Sequence, residues 1–406
     1  MRCFVSHLES AIDGTRLPHD KPQTMHADRP LWVRYDLDAV RELADRDVLT
    51  DRPPDMWRYR ELLPLPSGTG PVTLGEGMSP LLRAPALGTR LGIPDLWIKD
   101  ESQLPTGSFK SRGMAMAVTM AKHFGLDRLA VPTAGNAGGA LAAYGARAGM
   151  EVFIFMPRDT PVINQIECAL AGAHVYLVNG LIDACGRIVR HGVDAAGWFD
   201  CSTLREPYRI EGKKTMGLEL AEQLDWTLPN VILYPTGGGT GLIGMFKAFA
   251  ELRAIGWLQS DGMPRLVAVQ SDGCAPIVRA FEAGARFATP WDDARTCASG
   301  IRVPAAVGDF MILDAIRATH GCAVAVPESR IIETLRASVA LEGTGLCPEA
   351  AACVVAADML RSDGRIAGDD RVVIFNTGAS HKYLEVNRFD MPTIEDPSNV
   401  DYGMFR

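Results

Sequence analysis

The sequence predicts an α/β protein whose mostly parallel sheets carry helices on both faces. Three observations predict it. Short apolar runs alternate with helix-periodic segments from Leu96 onward, and strands buried on both faces of a parallel sheet read as such runs. Turns rich in Gly, Ser, Thr and Asn come after several of the runs, where a strand hands over to a helix. At 406 residues, the chain is long enough for two or three domains with large cores and no staples.

From the N-terminus, residues up to about Pro30 are polar and weakly patterned, and Arg52 to Pro85 is a stretch rich in Pro and Gly that contains the loop-like Leu74-Gly75-Glu76-Gly77-Met78-Ser79-Pro80-Leu81. The runs at 129–131, 152–155, 175–178, 231–234, 266–269 and 372–375 are the expected strands. After Lys110, the residues Met114, Val118, Ala121 and Phe124 share one helical face, and 331–341 and 348–360 are also helix-patterned. A helix is expected to open at Ala140.

Composition narrows the function. Hydrophobic residues make up 47% and charged residues 22%, as in ordinary globular proteins. The net charge of −8, with acids and bases interspersed, argues against nucleic acid as a partner. No uncharged apolar run is long enough to span a bilayer, and the first residues lack the apolar core of a secretory signal. Nine scattered cysteines without a C-x-x-C pair argue against a disulfide framework and fit a reducing cytoplasm. Cys3, His7, His19 and His26 match no common ligand spacing, so no metal is expected.

Four segments carry chemistry. In Gly107-Ser108-Phe109-Lys110-Ser111-Arg112-Gly113, a lysine comes after a small flexible turn and opens an apolar-periodic run. Buried, such an amine loses its proton and can attack an aldehyde; alone, it also reads as a surface lysine in a first helical turn. Thr133-Ala134-Gly135-Asn136 comes after a strand and leads into a helix. Its backbone N–H groups suit a carboxylate, and the Asn136 amide suits an oxyanion. Thr236-Gly237-Gly238-Gly239-Thr240-Gly241 comes after another strand and lets several N–H groups converge on a phosphate. Gly239, Gly241 and Gly244 also satisfy G-x-G-x-x-G, so a dinucleotide site competes, although no acidic residue is clearly placed for it. Thr377, just past the last expected strand, offers a hydroxyl to a ring nitrogen. Together, Lys110, Asn136, Gly237, Gly238, Gly239, Thr240, Gly241 and Thr377 match the aldehyde, phenolate, phosphate and pyridine nitrogen of pyridoxal 5′-phosphate.

The chain resembles the fold type II pyridoxal-phosphate enzymes, and within them the threonine synthases. The likeness is carried by Tyr35-Asp36-Leu37, Glu76 to Leu81, Lys99-Asp100-Glu101, Gly107 to Gly113 and Pro207-Tyr208-Arg209-Ile210-Glu211-Gly212-Lys213-Lys214-Thr215. It implies two open twisted, mostly parallel sheets with the active site in the cleft between two domains. The expected division is an N-terminal extension (1–38), a large domain (39–104 and 221–390), a small domain (105–220) and a C-terminal tail (391–406). It implies that Lys110 forms a Schiff base and shuttles protons. Thr133, Ala134, Gly135, Asn136 and Arg209 would hold an amino-acid substrate, and O-phosphohomoserine plus water would give threonine and phosphate. Dimers are the commonest assembly, so a homodimer is the expectation.

Departures keep a second reading open. Ala134 and Ala137 stand where the family usually has hydroxyls, and Thr203-Leu204-Arg205-Glu206 replaces an Asn-Ser-x-Asn run that helps hold the substrate phosphate. Elimination or replacement at the β-carbon of a serine- or threonine-like substrate needs no such site. Two further alternatives are a non-catalytic amino-acid-binding regulator and a nicotinamide dehydrogenase. Glu342-Gly343 and Pro348-Glu349-Ala350 read equally as site segments or as an ordinary loop and helix start, and Arg112 as a substrate contact or a surface pair.

Overall fold

The computed structural model describes residues 2–387 and 389–394. In chain order its strands are β1 (Val5–Ser10), β2 (Arg16–Leu17), β3 (Leu31–Tyr35), β4 (Leu81–Arg83), β5 (Leu96–Asp100), β6 (Arg128–Pro132), β7 (Glu151–Pro157), β8 (His174–Val178), β9 (Phe199–Asp200), β10 (Val231–Pro235), β11 (Arg265–Ser271), β12 (Cys322–Val326) and β13 (Val372–Asn376). They form a six-stranded sheet in the order β12-β11-β10-β13-β5-β4, a four-stranded sheet β8-β7-β6-β9 and a three-stranded sheet β2-β1-β3. The four-stranded sheet is parallel throughout. In the six-stranded sheet only the edge strand β4 runs antiparallel.

Alternation along β13 shows how the large sheet is covered. Val372 and Ile374 pack with Ala350, Val354 and Ile331 on one face. Val373 and Phe375 pack with Leu242, Phe249 and Ile312 on the other. Successive side chains of a strand point to opposite faces, so a strand apolar at every position must have helices on both sides. The helices Glu328–Glu342 and Pro348–Ser362 lie on the first face; Thr240–Ala254 and Asp309–Ala318 lie on the second.

Three sequence expectations change. The polar N-terminal segment folds into the antiparallel sheet β1–β3, with Leu8, Leu31 and Val33 fully inside. Only alternate residues of β1 and β3 are buried, and a polar Ser10 at one buried position with an apolar Trp32 between two others hides the period. β12, reading Cys-Ala-Val-Ala-Val, escaped notice because small residues weaken its apolar signal. The helix placed at Ala140 begins instead at Asn136. Gly138 and Gly139 suit its first turn, where close packing against Thr133, Cys168 and Glu167 leaves no room for larger side chains. Of the expected C-terminal tail, residues 395–406 lie outside the described residues.

The helix Tyr208–Gln223 is buried along nearly its whole length and carries two charge clusters. Arg112 donates to Glu101 at 2.7 Å and to Glu219 at 2.8 Å, and Lys99 pairs with the same Glu219. Glu211 forms an ion pair with Lys214 at 2.7 Å and accepts from Tyr35 at 2.7 Å, beside Lys247 and Glu251. Such charges are tolerated inside only when paired. Arg112 is therefore neither a substrate contact nor a surface pair: it is a fully buried cross-link between helices.

Candidate active site

Adjacent strands deliver the site's loops to one edge. β5, β13 and β10 are parallel neighbours, so the loops leaving their carboxyl ends meet: the Lys110 turn after β5, Thr377 after β13 and the glycine loop after β10. Ligands bind beyond the carboxyl ends of such sheets. Main-chain bonds fix the meeting. Phe109 N–H donates to the Thr377 carbonyl at 3.2 Å, Ala379 N–H donates to the Gly107 carbonyl at 2.9 Å, and Ser108 bridges Gly378. Gly107 itself has a φ of +61°, a conformation that glycine adopts without strain.

Lys110 is the first residue of the helix Lys110–His123, partly buried, with Nζ 3.8 Å from the centroid of the Phe109 ring. Burial and then the nearby Arg209 guanidinium lower its pKa to about 7, against a smaller opposing pull from Glu349 and Cys347. A second amine, Lys213 Nζ, lies 3.8 Å from the same ring and donates to the Phe109 carbonyl at 2.9 Å. Burial, then the charge of Lys110, hold it well below the ordinary lysine range.

The four-stranded sheet contributes the turn after β6. Thr133 uses its hydroxyl inside that turn, donating to the Gly135 carbonyl at 2.9 Å and accepting from Gly135 N–H at 3.1 Å. Ala134 has no polar side chain to add, and Gly135 faces Asn164, whose amide nitrogen is 3.3 Å from where a Cβ would stand. Asn136 reaches across to the end of β13: its Nδ2 lies 3.3 Å from the Cβ position of Gly378. The Thr377 hydroxyl lies 3.7 Å from Cys347 Sγ and is nearly buried.

The glycine loop has no space for side chains. A Cβ at Gly237 would stand 2.8 Å from the Gly300 carbonyl, at Gly239 2.3 Å from Ile312, and at Gly241 1.9 Å from Tyr234 Oη. Gly238 faces Thr203 at 3.1 Å, and Thr240 opens the helix Thr240–Ala254 behind a left-handed Gly239. The loop joins the rest through Gly300, whose N–H donates to Glu349 Oε1 at 2.6 Å.

Arg209 is buried, with Nη1 donating to the Cys201 carbonyl at 2.8 Å, while its Nε is buried without a protein partner. Glu349 Oε2 is likewise buried and unpartnered. Glu206, expected near a substrate phosphate, instead turns into the fold, where its carboxylate accepts from Tyr208 N–H at 2.7 Å and caps the next helix. Leu204 is in the core, and Arg205 points to Met25 Sδ at 3.5 Å.

The arrangement brings together an amine made nucleophilic by burial, a carboxamide, a strand-end hydroxyl and an anion cradle closed to side chains. The open Arg209 Nε adds a donor for an anion. These groups fit pyridoxal phosphate with an anionic amino acid beside it. Sequence reasoning missed Lys213 and Lys382. Lys213 stood only within the Pro207 to Thr215 likeness and Lys382 in no motif, and only the folded chain turns them inward.

Comparison with known proteins agrees. The family described as pyridoxal-phosphate dependent enzymes matches residues 72–378. A threonine synthase of Methanosarcina acetivorans is 34% identical over 374 residues, covering 91% of this chain and 90% of that one. The threonine synthase of Methanocaldococcus jannaschii is 32% identical over 349 residues, covering 86% and 85%. Among solved structures, the processed form of threonine deaminase isoform 2 from Solanum lycopersicum matches with a TM-score of 0.65 at 22% identity, over 76% of this chain and 83% of that one. Maize serine racemase matches with a TM-score of 0.62 at 19% identity, over 80% and 91%. The structural likeness confirms the fold; the matched sequence, over most of the chain, makes this protein an enzyme whose cofactor is pyridoxal 5′-phosphate and a member of the pyridoxal-phosphate dependent enzyme family.

Proposed function

We propose that the chain is a threonine synthase, converting O-phosphohomoserine and water to threonine and phosphate. The reading is carried by one observation: a relative bearing that name matches 91% of the chain, and the family match over residues 72–378 includes the Lys110 turn. In this reading Lys110 binds the cofactor, Asn136 its phenolate oxygen, Gly237 to Gly241 its phosphate and Thr377 its pyridine nitrogen. When bound, pyridoxal phosphate supplies a ring that spreads negative charge from the substrate's α-carbon. Thr377 is a neutral hydroxyl and does not favour a protonated ring nitrogen, so more of the work falls on Lys110. With a pKa of about 7, its amine takes and returns protons near neutral pH. Arg209 and the turn from Thr133 to Asn136 hold the substrate's anionic ends. The small domain (105–220) and large domain (39–104 with 221–390) form the cleft walls and exclude water until it is needed.

The departures from the family pattern matter less in the fold than in the sequence. The Glu206 carboxylate is taken up by the N–H groups of Tyr208 and Arg209 and Leu204 packs in the core, so neither is offered to a substrate phosphate. One observation still favours the second reading, β-elimination or replacement on a serine- or threonine-like substrate: Ala134 and Ala137 leave that turn short of side-chain donors. No helix among the described residues is long and apolar enough to cross a membrane, and a cytoplasmic homodimer completes the proposal. Incubating the purified protein separately with O-phosphohomoserine, threonine, serine and O-acetylserine decides between the readings. Phosphate release with threonine formation supports the first; keto acid from threonine or serine replaces it with the second.

A further inference from the structure

A lysine with no part in that chemistry lies against the site. Lys382 closes the short turn Ser380–Lys382 beyond β13 and is 5% exposed. Its Nζ donates to Asn136 Oδ1 at 3.1 Å and to Glu167 Oε2 at 2.7 Å. Asn136 and Glu167 belong to helices that come after strands of the four-stranded sheet, whereas Lys382 comes after the last strand of the six-stranded sheet. The cluster therefore spans the cleft.

We propose that Lys382 is a positioning residue: held by Glu167, it fixes the carboxamide of Asn136 with its nitrogen turned toward the cofactor, and it ties the two walls of the cleft together at that point. An ammonium has donors only, while a carboxamide has an acceptor at one end and donors at the other. Facing Lys382, Asn136 must present its oxygen to the lysine and its NH2 to the opposite side. That side is the end of β13, where Nδ2 is 3.3 Å and Tyr383 Oη 3.5 Å from the Cβ position of Gly378. Glycine at 378 keeps the space open. An NH2 fixed in this direction donates to an anionic oxygen, whereas a flipped amide would repel it.

Glu167 makes the arrangement tenable, because a buried ammonium needs a counter-charge. A Cβ at Gly139 would stand 2.2 Å from Glu167 Oε1, so glycine there is what admits the carboxylate. Burial pushes the Glu167 carboxyl up and the Lys382 ammonium pulls it back. On the far side, a Cβ at Gly107 would lie 3.4 Å from Lys382 Cε, so the lysine stem also packs against the turn that carries Lys110.

The inference rests on the reading that Asn136 faces the cofactor's phenolate, and the test separates the two. The visible absorbance of the holoenzyme is titrated with pH in the wild type, Lys382→Met, Lys382→Arg, Asn136→Ala and the double variant Lys382→Met/Asn136→Ala. Losing a donor to the phenolate disfavours the deprotonated chromophore, so Lys382→Met should raise the midpoint by about one pH unit, a tenfold change in the equilibrium. Asn136→Ala should move it in the same direction, the double variant should move it no further, and Lys382→Arg, which also carries donors only, should restore most of the wild-type midpoint. If Asn136→Ala shifts the midpoint and Lys382→Met does not, the positioning role is wrong while the site reading stands. If neither shifts it, both are wrong. Should Lys382→Met fail to fold with Glu167 left unpaired, the charge-balanced Lys382→Met/Glu167→Gln gives the same readout.

Discussion

Phe109 N–H and the Thr377 carbonyl are joined by a 3.2 Å hydrogen bond between segments 268 residues apart. It locks the residue before Lys110 to the end of the last strand, so the proposed Schiff-base lysine and the proposed ring-nitrogen partner move as one body. The helix beginning at Lys110 does not depend on the amine for packing, since its buried face is Met114, Met116, Val118 and their neighbours. Lys110→Ala is therefore expected to abolish turnover while leaving the far-UV circular dichroism close to wild type. Near-normal activity would place the chemistry on another residue.

The lowered pKa of Lys110 makes a second prediction. With a value of about 7, roughly half the amines are neutral at pH 7, against about one in three thousand for an ordinary lysine. The rate at which stripped protein takes up pyridoxal phosphate should rise with pH, then level off above about 7. A rate still climbing tenfold per pH unit at pH 9 would show that the amine is not depressed. Arg209 is the largest charge acting on it, so Arg209→Met should move the inflection upward. The stability of the stripped protein tracks the same group. The folded form holds fewer protons than the unfolded one between about 7 and 10.5, so Lys110 disfavours folding at low pH and the penalty fades as pH rises through that window.

Which features the sequence revealed, and which it hid, depends on where each signal is written. β10 and β13 were legible because Val231 to Tyr234 and Val372 to Phe375 are unbroken apolar runs and a glycine or threonine turn comes soon after. The Lys110 and glycine-loop segments were legible because backbone geometry demands small residues at fixed offsets. Arg112 was not: its partners Glu101 and Glu219 lie 11 and 107 residues away, and a charge gives no local sign that it will be buried. Lys382 was hidden for the same reason, being 246 residues from Asn136. Long-range pairing of polar groups is a property of the fold, and one chain's local pattern does not record it.

That buried pairing predicts a large stability effect away from the chemistry. Arg112, with no exposed surface, neutralises Glu101 and Glu219 together. Arg112→Met would leave Lys99 as the only cation bonded to Glu219 and none on Glu101 among the described residues. Breaking one side of a buried ion pair costs about 3–5 kcal/mol, so urea unfolding of Arg112→Met should show a loss of that order. A loss under about 1 kcal/mol, the scale of an exposed pair, would mean that water reaches the cluster.

Glu206 predicts a pH dependence of opposite sign to that of Lys110. Burial raises its carboxyl to about 7, despite the nearby Arg209 and the N–H groups of Tyr208 and Arg209. The ordinary value is 4.5, so between about 4.5 and 7 the folded chain holds more protons than the unfolded one. Its contribution to stability is greatest below that window and is lost as pH rises through it. Glu206→Gln keeps an oxygen for the two N–H groups of the helix start and cannot ionise. Wild type and variant should unfold at similar urea concentrations at pH 4.5. By pH 8 the variant should be the more stable, by at most roughly 3 kcal/mol on the scale of 1.36 kcal/mol per pH unit. The difference between the two proteins isolates this carboxyl from every other titrating group. A difference that stays flat from pH 4.5 to 8 would show that Glu206 is ionised throughout and suffers no burial penalty at the head of that helix.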